Sequence, residues 1–261
     1  MINLKRQNKV VVVLPAYNAE KTLVETFESI PNNLKRDVIL VDDCSSDNTV
    51  QIARQLGIQV IIHQTNMGYG GNQKTCYQAA LKNNADVIVM LHPDKQYDAR
   101  VVGIMAELIT LGNCDIILGN RIRTRREALE GGMPRWRYYI NRISTLFENT
   151  IFGQTLGDWH SGLRAYSRES LMSIPFMLNN NDFSFDQQLL MQAIYHRFRI
   201  DDIPIPVRYD EFSSSISFWK STKYGSETLK FLLAYFLNRV GIRLDERFKV
   251  VDYENFSNTK K

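Results

Sequence analysis

The segment His92-Pro93-Asp94-Lys95-Gln96-Tyr97-Asp98 sets a ring nitrogen, an anionic oxygen and a neutral carbonyl oxygen at alternate positions. Hard divalent cations favour oxygen donors. Asp94 and Gln96, with His92 as a nitrogen candidate, are therefore a seat for Mg2+ or Mn2+ bridged to a diphosphate that supplies the remaining ligands. A second acidic stretch, Val41-Asp42-Asp43-Cys44-Ser45-Ser46-Asp47-Asn48-Thr49, offers Asp43 as acceptor for a base N–H or a ribose hydroxyl. Asp47 and Thr49 have the side chains of helix caps instead. Pro15-Ala16-Tyr17-Asn18 adds a stiff exit and a ring for stacking on a base. Asn66 to Asn72 holds Gly68, Gly70 and Gly71 but has neither the Walker spacing nor the dinucleotide fingerprint, and reads as a turn opening a helix.

Further along, Arg121, Arg123, Arg125, Arg126, Arg135, Arg137 and Arg142 concentrate positive charge suited to an anionic acceptor. Asp158 and Arg164 suit either a structural ion pair or contacts with substrate. Asp186, in Phe183-Ser184-Phe185-Asp186-Gln187-Gln188-Leu189, is a candidate base or an acid favoured at a helix start. Arg208 to Ser215, with Lys220, Lys223 and Tyr224, has the composition of a lid over a diphosphate.

Most of these residues follow strand-like runs. Val10 to Leu14, Val38 to Val41, Val60 to Ile62, Val87 to Leu91 and Ile116 to Leu118 are unbroken apolar segments, as buried parallel strands require. Helical patterns at 19–30, 49–56, 71–83 and 99–111 alternate with them and predict an open, mostly parallel α/β sheet covered on both faces. The ligand crevice of such a sheet lies beyond the carboxyl ends of its strands. After Gly119 the rhythm changes to helices around 136–151 and 184–195, a strand over 203–209 and a closing helix over 226–238. Residues 1–254 read as one domain. About 9–120 form its donor half and about 121–240 an acceptor-side elaboration, and a disordered tail is expected over 255–261.

Composition narrows the class. With 261 residues, 44% hydrophobic and 23% charged, the chain can bury a core. No apolar run of about 18 residues predicts a membrane span, and no secretory signal opens the sequence. A net charge of +4 is too mild for a nucleic-acid binder. Cys44, Cys76 and Cys114 are odd in number and widely spaced, which fits a reducing, cytoplasmic setting. The closing helix, rich in leucine and aromatic residues with Lys230 and Arg239 nearby, suits either the core or the face of a membrane. No pattern specifies a homodimer, and one through the last third is left open.

Taken in order, Pro15-Ala16-Tyr17-Asn18, Val41-Asp42-Asp43-Cys44-Ser45, Asp94-Lys95-Gln96, Gly119-Asn120-Arg121 and Ser161-Gly162-Leu163-Arg164-Ala165-Tyr166 resemble the family 2 glycosyltransferases. The likeness is greatest to the polyprenyl-phosphate sugar transferases similar to dolichol-phosphate mannose synthase. It implies a GT-A fold, metal dependence and inverting transfer from a nucleotide-diphosphate sugar to a lipid phosphate or a glycan hydroxyl. It places Pro15, Tyr17, Val41 and Asp43 on the nucleotide, Asp94 on both nucleotide and metal, and Gln96 and His92 on the metal. Arg121, Arg137, Ser161, Arg164 and Arg208 fall on the acceptor side. Asp186 falls where hydroxyl-using relatives carry their catalytic acid, and Asp94, Asp186 and Arg121 are the catalytic candidates. Ala19 replaces the family's frequent Glu, His92 replaces the first acid of its metal motif, and the sequence carries no C-terminal membrane helices. Two other classes compete. A sugar nucleotidyltransferase would need a glycine-rich, lysine-bearing first loop, which is missing here. A non-catalytic nucleotide-binding or membrane-surface scaffold would show no turnover.

Overall fold

A strand whose side chains are apolar on both faces must be covered on both faces, and Val10 to Leu14 dictates this directly. In the computed structural model, which describes residues 8–207, 209, 218–242 and 245–249, β1 (Val10–Ala16) is buried from Val11 onward. It is followed by α1 (Leu23–Ser29), β2 (Val38–Asp42), α2 (Thr49–Gln55), β3 (Gln59–Ile62), α3 (Tyr69–Lys82), β4 (Val87–Met90), α4 (Val102–Thr110) and β5 (Ile116–Asn120). The second half contributes α5 (Arg125–Glu130), α6 (Arg135–Phe152), β6 (Arg164–Ser167), α7 (Arg168–Ser173), α8 (Phe185–Tyr195), β7 (Ile200–Pro204) and α9 (Phe218–Arg239).

Among the described residues the strands form one sheet in the order β3-β2-β1-β4-β6-β5-β7. All neighbours are parallel except β6, which runs antiparallel to both β4 and β5. Successive residues feed opposite faces. Val11, Val13, Ile39, Val41, Ile88 and Met90 pack beneath α3, α8 and α9, whereas Val12, Leu14, Leu40 and Val89 pack beneath α1, α2 and α4. Strand order turns outward in both directions from β1 and β4, so the crevice beyond their carboxyl ends is the topological switch point.

Some elements differ from their sequence-based bounds. The first helix begins at Leu23 rather than Ala19, because Ala19 spends its amide on the Thr49 hydroxyl (2.7 Å) in a turn. The strand expected over 203–209 is β7, three residues earlier at its start. It is an edge strand, and Asp201 and Asp202 are tolerated there because one side is open. β6 escaped notice because Arg-Ala-Tyr-Ser is too short to show a period. The closing helix is longer than expected, at 22 residues. Length therefore does not prevent a span; Lys220, Lys223, Glu227 and Lys230 break up its apolar character. Among the described residues no helix is long and apolar enough to cross a membrane.

Gly70 joins the two halves of the chain. Its amide donates to the Asn181 carbonyl (2.8 Å), and a Cβ there would lie 2.6 Å from the Asn180 oxygen and 2.7 Å from the Phe185 Cβ. Gly70→Ala is expected to cost about 1–3 kcal/mol by overpacking. Thermal unfolding should show this as a fall of several degrees in Tm, and an unchanged Tm would mean that the 179–185 segment yields freely.

Candidate active site

The loops after β1 and β2 interlock. Asn18, at φ 52°, accepts the Ser46 amide on its side-chain oxygen (2.9 Å) and donates its own amide to Ser45 Oγ (2.8 Å). Asp47 accepts the amides of Glu20 and Thr49, both at 3.0 Å, and so ties the β1 loop to the first residue of α2, whose N-cap position is taken by Asn48. Tyr17 projects from this platform with 58% of its surface exposed, available to stack. Pro15 and Val41 are register partners at the strand ends beneath it.

Asp43 is committed to the protein more fully than its sequence position implied. Its Oδ1 meets His63 Nδ1 and the Met67 amide, each at 2.7 Å, and its Oδ2 takes the Gly68 amide at 3.0 Å. The carboxylate pins the turn before α3 and keeps only part of its acceptor capacity for a ligand. The Gly70 and Gly71 amides converge on the Asn181 carbonyl. The glycine-rich stretch is thus a helix-opening turn whose donors are already used.

Beyond β4, Asp94 Oδ1 accepts the Gln96 amide (3.0 Å), and Thr22 Oγ1 donates to the Pro93 carbonyl. Lys95, at φ 61°, is ion-paired with Glu25 of α1. The Gln96 side chain faces the cavity described below. His92 is drawn elsewhere. Its Nε2 lies 3.2 Å from the Tyr69 hydroxyl and its ring stacks on Tyr69, centroids 5.4 Å apart. Burial lowers the His92 imidazole against the pull of Asp94 and Asp186. The expected nitrogen ligand has therefore joined an aromatic stack, which leaves Asp94 and Gln96. Among the described residues no three His, Cys, Asp or Glu side chains gather as a metal site. One carboxylate and one amide oxygen nevertheless fit Mg2+ or Mn2+ when a diphosphate completes the shell.

From this point a cavity of about 540 Å³ opens toward α6, α8 and α9. Its buried part carries Gln96, Arg121, Arg164 and Asp186, and its exposed rim includes Ile140, Phe147 and Leu229. Arg121, expected to face the acceptor, is clamped by Asp158. Its Nε lies 2.7 Å from one carboxylate oxygen and its Nη2 3.1 Å from the other. Burial would raise the Asp158 carboxyl, but Arg121 outweighs it and holds the group below the usual carboxylate range. Arg164 does not pair with Asp158. It donates to the carbonyls of Ser161 (2.8 Å), Trp159 (3.1 Å) and Asp186 (3.1 Å), with its guanidinium 3.8 Å from the Asp186 carboxylate.

Ser161 is fully buried, outside the residues that line the cavity. Arg137 does line it, resting near the rings of Trp136 (5.5 Å) and Tyr209 (5.8 Å), and has no carboxylate partner among the described residues. Arg208, the expected lid over 210–215 and the 255–261 tail lie outside the described residues. Three cavity residues were missed in the sequence: Tyr69, Glu148 and His160. His160 Nε2 lies 3.2 Å from Glu148 Oε2, and burial, which lowers the imidazole, is outweighed by Glu148 and Asp158. Only the placement of Tyr69 between glycines hinted at a special position.

A nucleotide-binding α/β sheet with one antiparallel strand inserted and a cavity built by the following helices is the GT-A architecture of sugar transferases. The sequence profile described as Glycosyl transferase family 2 matches residues 11–174, and the chain belongs to that family. It is a glycosyltransferase that draws on a nucleotide sugar. A dolichyl-phosphate hexose transferase of Haloferax volcanii is 30% identical over 199 residues, covering 76% of this chain and 82% of that protein. The UDP-N-acetylglucosamine–dolichyl-phosphate N-acetylglucosaminyltransferase of Methanococcus voltae is 25% identical, covering 78% and 87% respectively. Among solved structures, glucosyl-3-phosphoglycerate synthase from Mycobacterium tuberculosis, in complex with Mn2+, UDP and glucosyl-3-phosphoglycerate, superposes with a TM-score of 0.65 at 19% identity. It covers 87% of this chain and 80% of that one.

Asp158→Asn should leave Arg121 buried without its counter-charge and cost about 3–5 kcal/mol. The native carboxyl is depressed, so its stabilisation is complete above the ordinary aspartate range near pH 4 and fades as pH falls through the lower folded value. Tm measured against pH should show that acid-side loss in the native chain and lack its Asp158 component in the variant. Equal Tm at pH 7 would deny the pair a structural role.

Proposed function

We propose that the chain is an inverting, metal-dependent hexosyltransferase that moves a sugar from a nucleotide-diphosphate donor to a polyprenyl phosphate. The observation that carries this reading is the mixed lining of the cavity, with Arg137, which has no carboxylate partner among the described residues, beside an apolar, partly exposed rim. A lipid phosphate has the same two chemistries side by side. The names of the Haloferax and Methanococcus relatives support it.

In this reading residues 9–120 hold the donor. Tyr17 stacks on the base, Asp43 accepts from base or ribose, and Asp94 with Gln96 would hold Mg2+ or Mn2+ at the diphosphate. The cation, when bound, stabilises the charge that accumulates on the departing nucleoside diphosphate. Transfer is an in-line displacement at the anomeric carbon. An ionised phosphate is already nucleophilic, so the chain must position it rather than deprotonate it. Arg137 is suited to that task because Asp158 neutralises Arg121 and the backbone carbonyls occupy Arg164. Apolar residues on α6 and α9, including Ile143, Leu146, Leu233 and Phe236, are exposed, with Arg135, Lys230 and Arg239 beside them. They support peripheral contact at the cytoplasmic face of a membrane, from which the acceptor would enter.

A glycan hydroxyl acceptor is favoured by one observation, the buried Asp186 carboxylate in the cavity wall, which could act as base. The two readings separate when purified protein, Mn2+ and a nucleotide sugar are offered either undecaprenyl phosphate or an oligosaccharide. Transfer to the lipid is expected, and transfer to the oligosaccharide alone would overturn the lipid assignment. Arg137→Ala should raise KM for the lipid about 10-fold or more by loss of a charge-assisted contact. Asp94→Asn should cut kcat on the order of 100-fold and flatten the dependence on Mn2+; unchanged metal dependence would remove Asp94 from the mechanism.

A further inference from the structure

We infer that Tyr69 is a positioning residue for sugar transfer: it relays a hydrogen bond from His92 to Asp186 and so fixes that carboxylate to receive a hydroxyl of the transferred sugar. This rests on the glycosyl-transfer reading of the cavity and is independent of which acceptor is used.

Tyr69 opens α3, and its hydroxyl lies 2.8 Å from Asp186 Oδ2 and 3.2 Å from His92 Nε2. A phenol has one proton, and an ionised carboxylate can only accept. The Tyr69 proton therefore goes to Asp186, and His92 completes the chain by donating its Nε2–H to the phenolic oxygen. The direction is secure near neutral pH. Burial and the neighbouring Asp186 push the Tyr69 phenol well above its ordinary value, so it keeps the proton that it donates to Asp186. The Tyr69 ring is clamped between Phe183, at 4.4 Å between centroids, and His92 on its other contact at 5.4 Å. Swinging the ring to carry its oxygen away from Asp186 would break both stacks.

Asp186 is 7% exposed and lines the cavity, yet its Oδ1 has no hydrogen-bond partner among the described residues. The other titratable groups around it are Arg164 on β6, 3.8 Å from Oδ2, and more distantly Tyr77 and Tyr166. Arg164 spends its closest donors on backbone carbonyls. A buried carboxylate oxygen without a donor is costly, and a ligand that brings one relieves the cost. An ionised lipid phosphate has no proton to give and would be repelled. The hexose of a nucleotide sugar presents hydroxyls, so the free oxygen matches the donor's sugar rather than the acceptor.

The test compares wild type, Tyr69→Phe, Asp186→Asn and the double variant with Mn2+ and UDP-glucose, UDP-N-acetylglucosamine or GDP-mannose. Turnover is followed both with undecaprenyl phosphate and as hydrolysis of the donor without acceptor. Tyr69→Phe should lower kcat about 10-fold in both reactions and leave KM for undecaprenyl phosphate within about 2-fold. The double variant should be no slower than Asp186→Asn. Wild-type kcat in Tyr69→Phe, or a loss confined to KM for undecaprenyl phosphate, would overturn the proposal. So would losses no different from those of Tyr77→Phe, a buried tyrosine that donates to Gln73. Hydrolysis spared while transfer is lost would move the hydroxyl to the acceptor and overturn the sugar assignment. Wild-type hydrolysis without transfer to undecaprenyl phosphate would refute the acceptor reading alone and leave the Tyr69 comparison intact.

Discussion

A guanidinium with almost no contact with water organises the second half of the chain. Arg164 is 1% exposed, and a charge so placed must be surrounded by acceptors or the fold fails. Its acceptors are the carbonyls of Trp159, Ser161 and Asp186, drawn from the turn before β6 and the first turn of α8. One side chain thereby fixes the chain entering β6, the orientation of α8 and the position of Asp186. β6 itself is pinned on both edges by β4 and β5, so the guanidinium cannot shift without tearing the sheet.

Charge around the cavity follows from that anchoring. Two buried cations cannot share a small volume without compensation, and each has it: Asp158 for Arg121, and backbone carbonyls with Asp186 nearby for Arg164. These pairs shape the wall and consume the charge that their sequence positions seemed to offer a ligand. Arg137, nearer the rim, has no carboxylate partner among the described residues and lies near the rings of Trp136 and Tyr209. Burial therefore sets Arg121 and Arg164, which build the cavity wall, apart from Arg137.

The loops after β1 and β2 are held by shorter-range contacts. Asn18, Ser45, Ser46, Asp47 and Thr49 tie two loops into one platform, and Asp43 adds the turn before α3. Tyr69 starts the helix that follows that turn, so the backbone ordered by Asp43 also presents the hydroxyl that reaches Asp186. The two halves of the chain are linked through one helix start.

The sequence by itself determined the five apolar strands β1 to β5, because an apolar run between capping residues is a local signal and its loops must lie at strand ends. It also determined the order of the loop residues from Tyr17 to Asp94, which sit within a few positions of those strands. Only the tertiary structure decided partnership. Asp158 binding Arg121 rather than Arg164, His92 meeting Tyr69 across 23 positions, and Tyr69 meeting Asp186 across 117 positions are choices among side chains of equal chemical suitability. Distance and burial make those choices, and both arise only when β6 slots between β4 and β5 and α6, α8 and α9 close around the space beside it.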